Sequence, residues 1–475
     1  MSDLKFGTSG LRGLVRDLEG GAAANWCAAF LRSGAAEPRE GAPRQVLIGR
    51  DLRASSPGLA DDCLLAAAAS GFEPIDCGAV PTPALALAGL SLGVPAVMVT
   101  GSHIPDDRNG LKFYRADGEI DKGDEIRIRD AFRAEAPDLS GRRLFDALDV
   151  LAPYERRYRD AFGPHALAGL TVGIYQHSTV ARDLIGRVLE ALGARTLALG
   201  RSERFVPVDT EAHRPEDVAL IAEWCKAGML DAVVSADGDA DRPLIADAQG
   251  RILRGDVVGL LTARHLGATT IATPVTSSSA IERTGIAREV RRTRVGSPYV
   301  IEAIASEGAG SARGTVVGFE ANGGVLLGTE AALGEGRLAP LPTRDALLPI
   351  ICVLAQCVAL QRPLADLVRA LGAGHAAAHR LEEVEPDAMR AFLAELAEDA
   401  SFRARFFAPL GSVAAVDRLD GVRVSLVGGA VVHYRASGNA PELRCYVEGT
   451  DEAAARDHLE WGLRAAEGEV RRSPA

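Results

Sequence analysis

The chain has 475 residues and a formal net charge of −11, with 47% hydrophobic and 25% charged residues. That length is too great for one hydrophobic core and predicts three or four domains, and the ordinary composition excludes disorder over any large part. The acidic balance excludes a broad nucleic-acid footprint, although a local arginine cluster can still bind an anionic substrate.

In chain order, strands and helices alternate. "QVLIGRD" (45–51) predicts a buried strand, and "SPGLADDCLLAAAASG" a helix with Ser56 as N-cap, Pro57 at the first helical position and Gly71 closing it. "EPIDCGA" and "VPAVMVTG" follow as strands. The pattern restarts at "LTVGIYQHS" (170–178), with helix "TVARDLIGRVLEALG", strand "RTLALG", helix "PEDVALIAEWCKAG" and strand "LDAVVSAD". It restarts again at "TTIATPV" (269–275), with a helix near 279–285, strand "EVRRTRVG", helix "SPYVIEAIAS" and strand "TVVGFE". Such alternation implies βαβ units and largely parallel sheets. From about 375 the order changes to strand "AAAHRLEEV", helix "DAMRAFLAELAED", two strands around the turn "VGGA", strand "PELRCYVEG" and a last helix. That tail predicts a separate α+β domain. Boundaries therefore fall to give segments 1–153, 154–256, 257–373 and 374–475.

Aromatics make up 5% of the chain, and alanine and leucine fill the core instead, which favours helix-rich α/β layers. Seven cysteines without a CxxC motif suit buried thiols in a reducing compartment. The start "MSDLKFGTSG" carries no apolar leader, and the apolar stretches near 84–99 and 346–360 are too short to span a bilayer. The expectation is a cytoplasmic protein with no membrane or nucleic-acid partner.

Four stretches carry chemistry, each at a strand end, where ligands bind in α/β sheets. "TGSHIPDDRNGLK" (100–112) presents Ser102, His103 and Lys112, and Lys112 is one of only four lysines in the chain. A serine past a strand end serves as a nucleophile when a base and an electrostatic partner are near; alone it is more often a turn or cap residue. "SADGDADRPL" (235–244) alternates Asp237, Asp239 and Asp241. Alternate residues of an extended loop face one way, and three converging carboxylates call for a hard cation, Mg²⁺ or Ca²⁺. The EF-hand is excluded, because Arg242 stands where its glycine belongs and Ala248 where its glutamate belongs. "GFEANGG" (318–324) offers Glu320 and Asn322 to sugar hydroxyls, with Gly323 and Gly324 permitting close backbone approach. "YRASGNAPELR" (434–444) offers Arg435, Ser437, Gly438, Asn439 and Arg444, donors suited to a phosphate. A fifth piece, "FGTSGLRG" (6–13), adds Thr8, Ser9 and Arg12. The chain has no P-loop, HExxH or strand-following GxGxxG, which argues against nucleotide hydrolysis and hydride transfer.

Together the five motifs, "FGTSGLRG", "TGSHIP", "DGDADR", "GFEANGG" and "RASGNAPELR", resemble in order those of the α-D-phosphohexomutase family of phosphoglucomutases, phosphomannomutases and phosphoglucosamine mutases. The resemblance implies three similar α/β domains, with mixed, largely parallel sheets, and a smaller C-terminal α+β domain around a central cleft. It implies a phosphoserine at Ser102, Mg²⁺ held by Asp237, Asp239, Asp241 and a phosphoserine oxygen, and Lys112 and His103 as proton-transfer and electrostatic residues. Arg12 and Arg242 would face the phosphoserine. Glu320, with Asn322 and Gly323, would bind the sugar, and Arg435, Ser437, Gly438, Asn439 and Arg444 the non-reacting phosphate. The implied reaction interconverts hexose 1-phosphate and hexose 6-phosphate through hexose 1,6-bisphosphate, which also serves as activator, in a monomer or homodimer. A non-catalytic phosphosugar-binding protein is the rival reading. The chain departs from the family in having Ser-His-Ile-Pro where Ser-His-Asn-Pro is common, and Ser-Gly-Asn-Ala-Pro where many relatives have Ser-Gly-Thr-Glu-Pro. The sugar loop is most similar to that of the mannose branch, with glucose and glucosamine still open.

Overall fold

A computed structural model describes residues 4–471 except 8–9, 134–136, 141–143, 307–313 and 438–440. The chain divides into two compact units. One comprises the residues up to Ala272 with Ile286–Arg291 and Gly296–Ala370; the other comprises Thr273–Gly285, Arg292–Val295 and the residues from Leu371 onward.

Three α/β sheets occur in chain order. The first has eight strands, with Gly10–Leu14, Arg108–Arg115, Ala96–Val99, Gln45–Arg50 and Glu73–Ala79 side by side in its middle. Gln45–Arg50 runs parallel to both Glu73–Ala79 and Ala96–Val99, whereas Arg108–Arg115 returns antiparallel. Val46, Leu47 and Ile48 are fully buried, as an apolar run covered on both faces requires. In the second sheet Thr171–His177 lies between Arg195–Arg201 and Ala232–Ala236, all parallel, and Pro243–Asp247 pairs antiparallel at the edge. The third has five strands, and two of them, Ala268–Pro274 and Glu289–Thr293, carry the chain across the division between the units. The sheets are mixed, with parallel cores and antiparallel edges.

Two local readings need correction. Lys112 lies on a strand, Arg108–Arg115, directly opposite Met98, because an eight-residue loop (100–107) suffices to turn the chain back antiparallel. Ser55, not Ser56, precedes the helix Ser56–Ala69; the Ser56 hydroxyl donates 2.5 Å to Asp51 instead of capping. The apolar stretches form buried core, including most of the helix Leu347–Leu360, and among the described residues no single helix is long and apolar enough to cross a membrane.

The second unit is α+β. Its five-stranded antiparallel sheet runs in the order His375–Leu381, Leu443–Gly449, Val431–Ala436, Val422–Leu426, Val413–Asp417. Helix Glu452–Val470 packs on the first two of these strands, and Phe392, Leu396, Phe407 and Tyr434 fill the core. The turn "VGGA" is a hairpin with Gly429 at φ 87°, a conformation glycine adopts at little cost.

Candidate active site

The site in the first unit is assembled at carboxyl ends of strands. Ala232–Ala236, buried throughout, delivers Asp237, and Ala236 pairs with Pro243, so residues 237–242 form a tight hairpin loop. Within it the Asp237 Oδ1 accepts from the backbone N–H groups of Asp241 and Arg242, both at 3.2 Å. Four successive loop carbonyls are held from outside. Thr179 Oγ1 donates to Asp237 O at 2.7 Å, Val180 N to Gly238 O at 3.0 Å, Thr82 N to Asp239 O at 2.9 Å, and Ala346 N to Ala240 O at 3.3 Å. These donors come from distant parts of the chain, and they over-determine the loop well enough to keep Ala240 at φ 59°.

The three carboxylates converge, with one oxygen of each within 4.8 Å of the others. Asp237, Asp239 and Asp241 are at most 1% exposed. Lys112 Nζ donates to Asp239 at 2.5 Å and Asp241 at 2.6 Å, and Thr82 Oγ1 donates to Asp239 at 2.5 Å. Arg344 reaches Asp241 at 2.7 Å with one guanidinium nitrogen and Glu320 at 2.8 Å with another. Two further oxygens, Oδ1 of Asp239 and of Asp241, are buried without a hydrogen-bond partner. Hard oxygens, buried, convergent and in part unsatisfied, fit a divalent cation.

Ser102 belongs to this cluster. Its hydroxyl donates 2.5 Å to Asp237 Oδ2, although the two residues are 135 positions apart in the chain. Its backbone is left-handed (φ 54°), which is strained for a residue with a Cβ, and its side chain is buried. His103 Nδ1 lies 3.2 Å from Ser102 Oγ and 3.0 Å from Arg242 Nη1. A guanidinium only donates, so Nδ1 accepts and the ring proton sits on Nε2, which faces Asp209 at 4.0 Å.

Burial, then the cations Arg242 and Arg12, push the His103 pKa well below its ordinary value, so the ring is neutral. Burial works against the Lys112 ammonium, but Asp239 and Asp241 outweigh it and raise its pKa. Burial also opposes ionisation of Asp241, yet Arg344, Lys112 and Arg242 drive its pKa well below the usual range. Asp237 goes the other way, raised first by burial and then by Asp239 and Asp241. Arg12, on strand Gly10–Leu14, lies in the same field; burial and Arg242 lower its pKa to about 10, so it stays charged at neutral pH.

The glycine-rich loop follows strand Thr315–Phe319 and brings Glu320 to Arg344. Asn322 Oδ1 accepts from Gly324 N at 3.0 Å, an internal turn bond, and Thr210 Oγ1 donates to Asn322 O at 2.9 Å. Gly323 is left-handed at φ 85°. A Cβ on Gly324 would meet the Asp241 carbonyl at 2.9 Å, so the close approach here is between two loops of the protein.

The last motif lies in the second unit. Arg435 pairs with Asp420 at 2.9 Å, and Ser437 N donates to Glu442 O at 2.9 Å. The sheet register sets Arg444 opposite Arg435 on one side and Arg380 on the other, which lines three arginines across one face. Gly438 and Asn439, and likewise Thr8 and Ser9, lie outside the described residues.

Sequence reasoning overlooked Arg344, Arg53 and Arg380. In a chain with 53 lysines and arginines and four lysines, single arginines carry little signal. For Arg53 and Arg344 the clue is placement: "GRDLR" and "PTRDALL" set each arginine near an aspartate where a buried strand ends.

Comparison with known proteins identifies the family. Domain models of the phosphoglucomutase/phosphomannomutase family match in order: alpha/beta/alpha domain I over residues 3–138, domain II over 157–250, domain III over 254–373 and the C-terminal domain over 380–460. A phosphomannomutase of Sinorhizobium fredii is 46% identical over 470 residues, 97% of this chain and 98% of the relative. A phosphomannomutase of Salmonella muenchen is 39% identical over 97% of this chain and 95% of its own length. A solved structure of a provisionally assigned phosphomannomutase from Thermus thermophilus superposes with a TM-score of 0.75 at 23% identity, covering 99% of both chains, a likeness of fold.

Proposed function

Because this chain belongs to the phosphoglucomutase/phosphomannomutase family, we propose that it is a phosphomannomutase, interconverting mannose 1-phosphate and mannose 6-phosphate through a phosphoserine at Ser102. The observation that carries the reading is the 2.5 Å contact between the Ser102 hydroxyl and the tri-aspartate loop.

Asp237, Asp239 and Asp241 would hold the divalent cation, for which Mg²⁺ is the natural candidate, with a phosphoserine oxygen completing the set. Such an ion supplies charge neutralisation to the transferring phosphoryl group. The chain's own residues do the rest. In the first half-reaction the bond between phosphorus and Ser102 Oγ breaks, a bond from phosphorus to the free sugar hydroxyl oxygen forms, and the proton that hydroxyl gives up ends on Ser102 Oγ, giving hexose 1,6-bisphosphate. In the second half the other phosphate returns to Ser102. That bisphosphate would also prime enzyme whose serine is unphosphorylated.

The electrostatics divide two roles that the motif alone left together. Lys112, kept cationic by two carboxylates, stabilises charge. His103, kept neutral and with Nδ1 beside Ser102 Oγ, moves the proton that the hydroxyl loses or gains. Arg12 and Arg242 add positive field around the serine. Glu320, oriented by Arg344, would receive the sugar hydroxyls, aided by Asn322 and Gly323. Arg435, Ser437, Gly438, Asn439 and Arg444 would bind the phosphate that is not being transferred. The four-segment division at 153, 256 and 373 puts "FGTSGLRG" and the serine loop in the first segment and one further motif in each of the other three. Seven buried, unbridged cysteines suit a cytoplasmic setting.

The test is kinetic. Mannose, glucose and glucosamine 1-phosphates are compared with Mg²⁺ and a trace of hexose 1,6-bisphosphate. We expect the highest kcat/KM for the mannose ester; a preference for either other sugar moves the assignment within the family, and no turnover of any ester removes it.

A further inference from the structure

We propose that Asp51 and Arg53 are positioning residues that hold Ser102 in its left-handed conformation, an inference that rests on the reading of Ser102 given above. A non-glycine residue at φ 54° persists only where its surroundings over-determine it. Here the restraints on Ser102 converge on one short segment just past the strand Gln45–Arg50. That strand is the parallel neighbour of Ala96–Val99, so both strands end at the same edge and the loops they feed meet there.

Asp51 acts on the amide side. Its Oδ2 accepts from Thr100 Oγ1 at 2.8 Å, and that oxygen in turn accepts from Ser102 N–H at 2.8 Å. Arg53 acts on the carbonyl side. One guanidinium nitrogen donates to Ser102 O at 3.0 Å and Ile104 O at 2.6 Å. The other donates to Pro105 O at 2.7 Å and Arg108 O at 2.9 Å. The two side chains are ion-paired at 3.3 Å and have no exposed surface. One planar fork thus gathers three carbonyls of the serine loop and that of Arg108 at the start of the next strand, an arrangement a lysine ammonium cannot copy.

The same guanidinium stacks 3.9 Å over the Phe205 ring. Phe205 in turn covers Gly238 of the tri-aspartate loop, where a Cβ would lie 3.0 Å from the ring and 2.6 Å from Ser102 O. A Cβ on Gly101 would likewise meet the Arg53 guanidinium carbon at 2.6 Å, so a side chain there would displace the fork. The fork therefore shapes the serine loop and sets its backbone against the loop of Asp237.

The test compares Arg53→Met, Arg53→Lys and Thr100→Val with Ser102→Ala, all as full chains, with folded fraction measured by circular dichroism. The readouts are kcat, KM and the rate at which hexose 1,6-bisphosphate phosphorylates the Ser102 peptide. Misplacing the hydroxyl by about 1 Å lowers kcat and the phosphorylation rate of Arg53→Met by about 100-fold per folded molecule. KM stays within about threefold, because ground-state binding is untouched. Arg53→Lys recovers only a small part of that loss, and Thr100→Val loses about tenfold in both rates. Wild-type phosphorylation per folded molecule in Arg53→Met and Thr100→Val, or a loss confined to KM or to folded fraction, overturns the inference. If Arg53→Met does not fold, Arg53→Lys decides for Arg53 and Thr100→Val for Asp51. Turnover by Ser102→Ala instead overturns the functional reading itself.

Discussion

The tri-aspartate loop of the first unit and the arginine row of the second handle charge in opposite ways. Around the aspartates the charges are buried and most are paired: Lys112 bridges Asp239 and Asp241, Arg344 bridges Asp241 and Glu320, and four outside donors fix the loop backbone. Arg380, Arg444 and Arg435 instead stand side by side across a sheet, with carboxylate partners at their margins and side chains up to 46% exposed. The first arrangement is preorganised for charge that develops during reaction, where reorganisation would cost rate. On the proposed reading, the second would hold a phosphate that is caught and released in two orientations, where binding matters more than rigidity. The difference predicts that changes in the first site strike kcat and stability, while changes in the second strike KM.

The largest effect should come from the aspartates. Asp239→Asn removes one carboxylate from a balanced cluster and lowers kcat by about a thousandfold, with little change in KM, measured in steady state at saturating Mg²⁺. Next is Arg344→Met, which leaves Asp241 and Glu320 facing each other without their shared cation. Losing one partner of a buried pair costs about 3–5 kcal/mol, and urea unfolding should show it. Arg435→Ala has a smaller reach: KM rises roughly tenfold through one lost charge-assisted bond, with kcat nearly intact. A large kcat loss there, or a pure KM effect at Asp239, would erase the contrast.

The smallest effect concerns acid stability, which should be alike in both units. His177 in the first and His433 in the second are buried, and burial lowers each pKa to about 4, below the ordinary 6.5. The unfolded chain therefore binds the proton first. Stability is fully present above pH 6.5 and is lost as pH falls toward 4. Each histidine steepens that loss by about 1.4 kcal/mol per pH unit, so His433→Gln should flatten the slope of urea stability against pH by one proton.

The same contrast decides what the sequence could reveal. Ser102, the three aspartates and Glu320 stand out because polar residues end apolar strands, and a strand end marks the functional edge of an α/β sheet. Lys112 was legible from rarity, but its place on a strand was not, since Arg108–Arg115 mixes polar and apolar residues where the chain turns back. Arg344 and Arg53 were hidden because their meaning lies in partners far along the chain: Arg344 finds Asp241 across 103 positions, and Arg53 finds Arg108 O across 55. The βαβ rhythm was visible from periodicity. The antiparallel edges were not, because Pro243–Asp247 is as apolar as a central strand and its pairing follows from the short hairpin before it.

The most direct test of the whole account is peptide mass mapping of wild-type and Ser102→Ala protein after exposure to hexose 1,6-bisphosphate, paired with a turnover assay on each. The account predicts one phosphate on the wild-type peptide that carries Ser102, none on the variant, and no turnover by the variant. Phosphate on a different residue, or undiminished turnover without a hydroxyl at position 102, would contradict it.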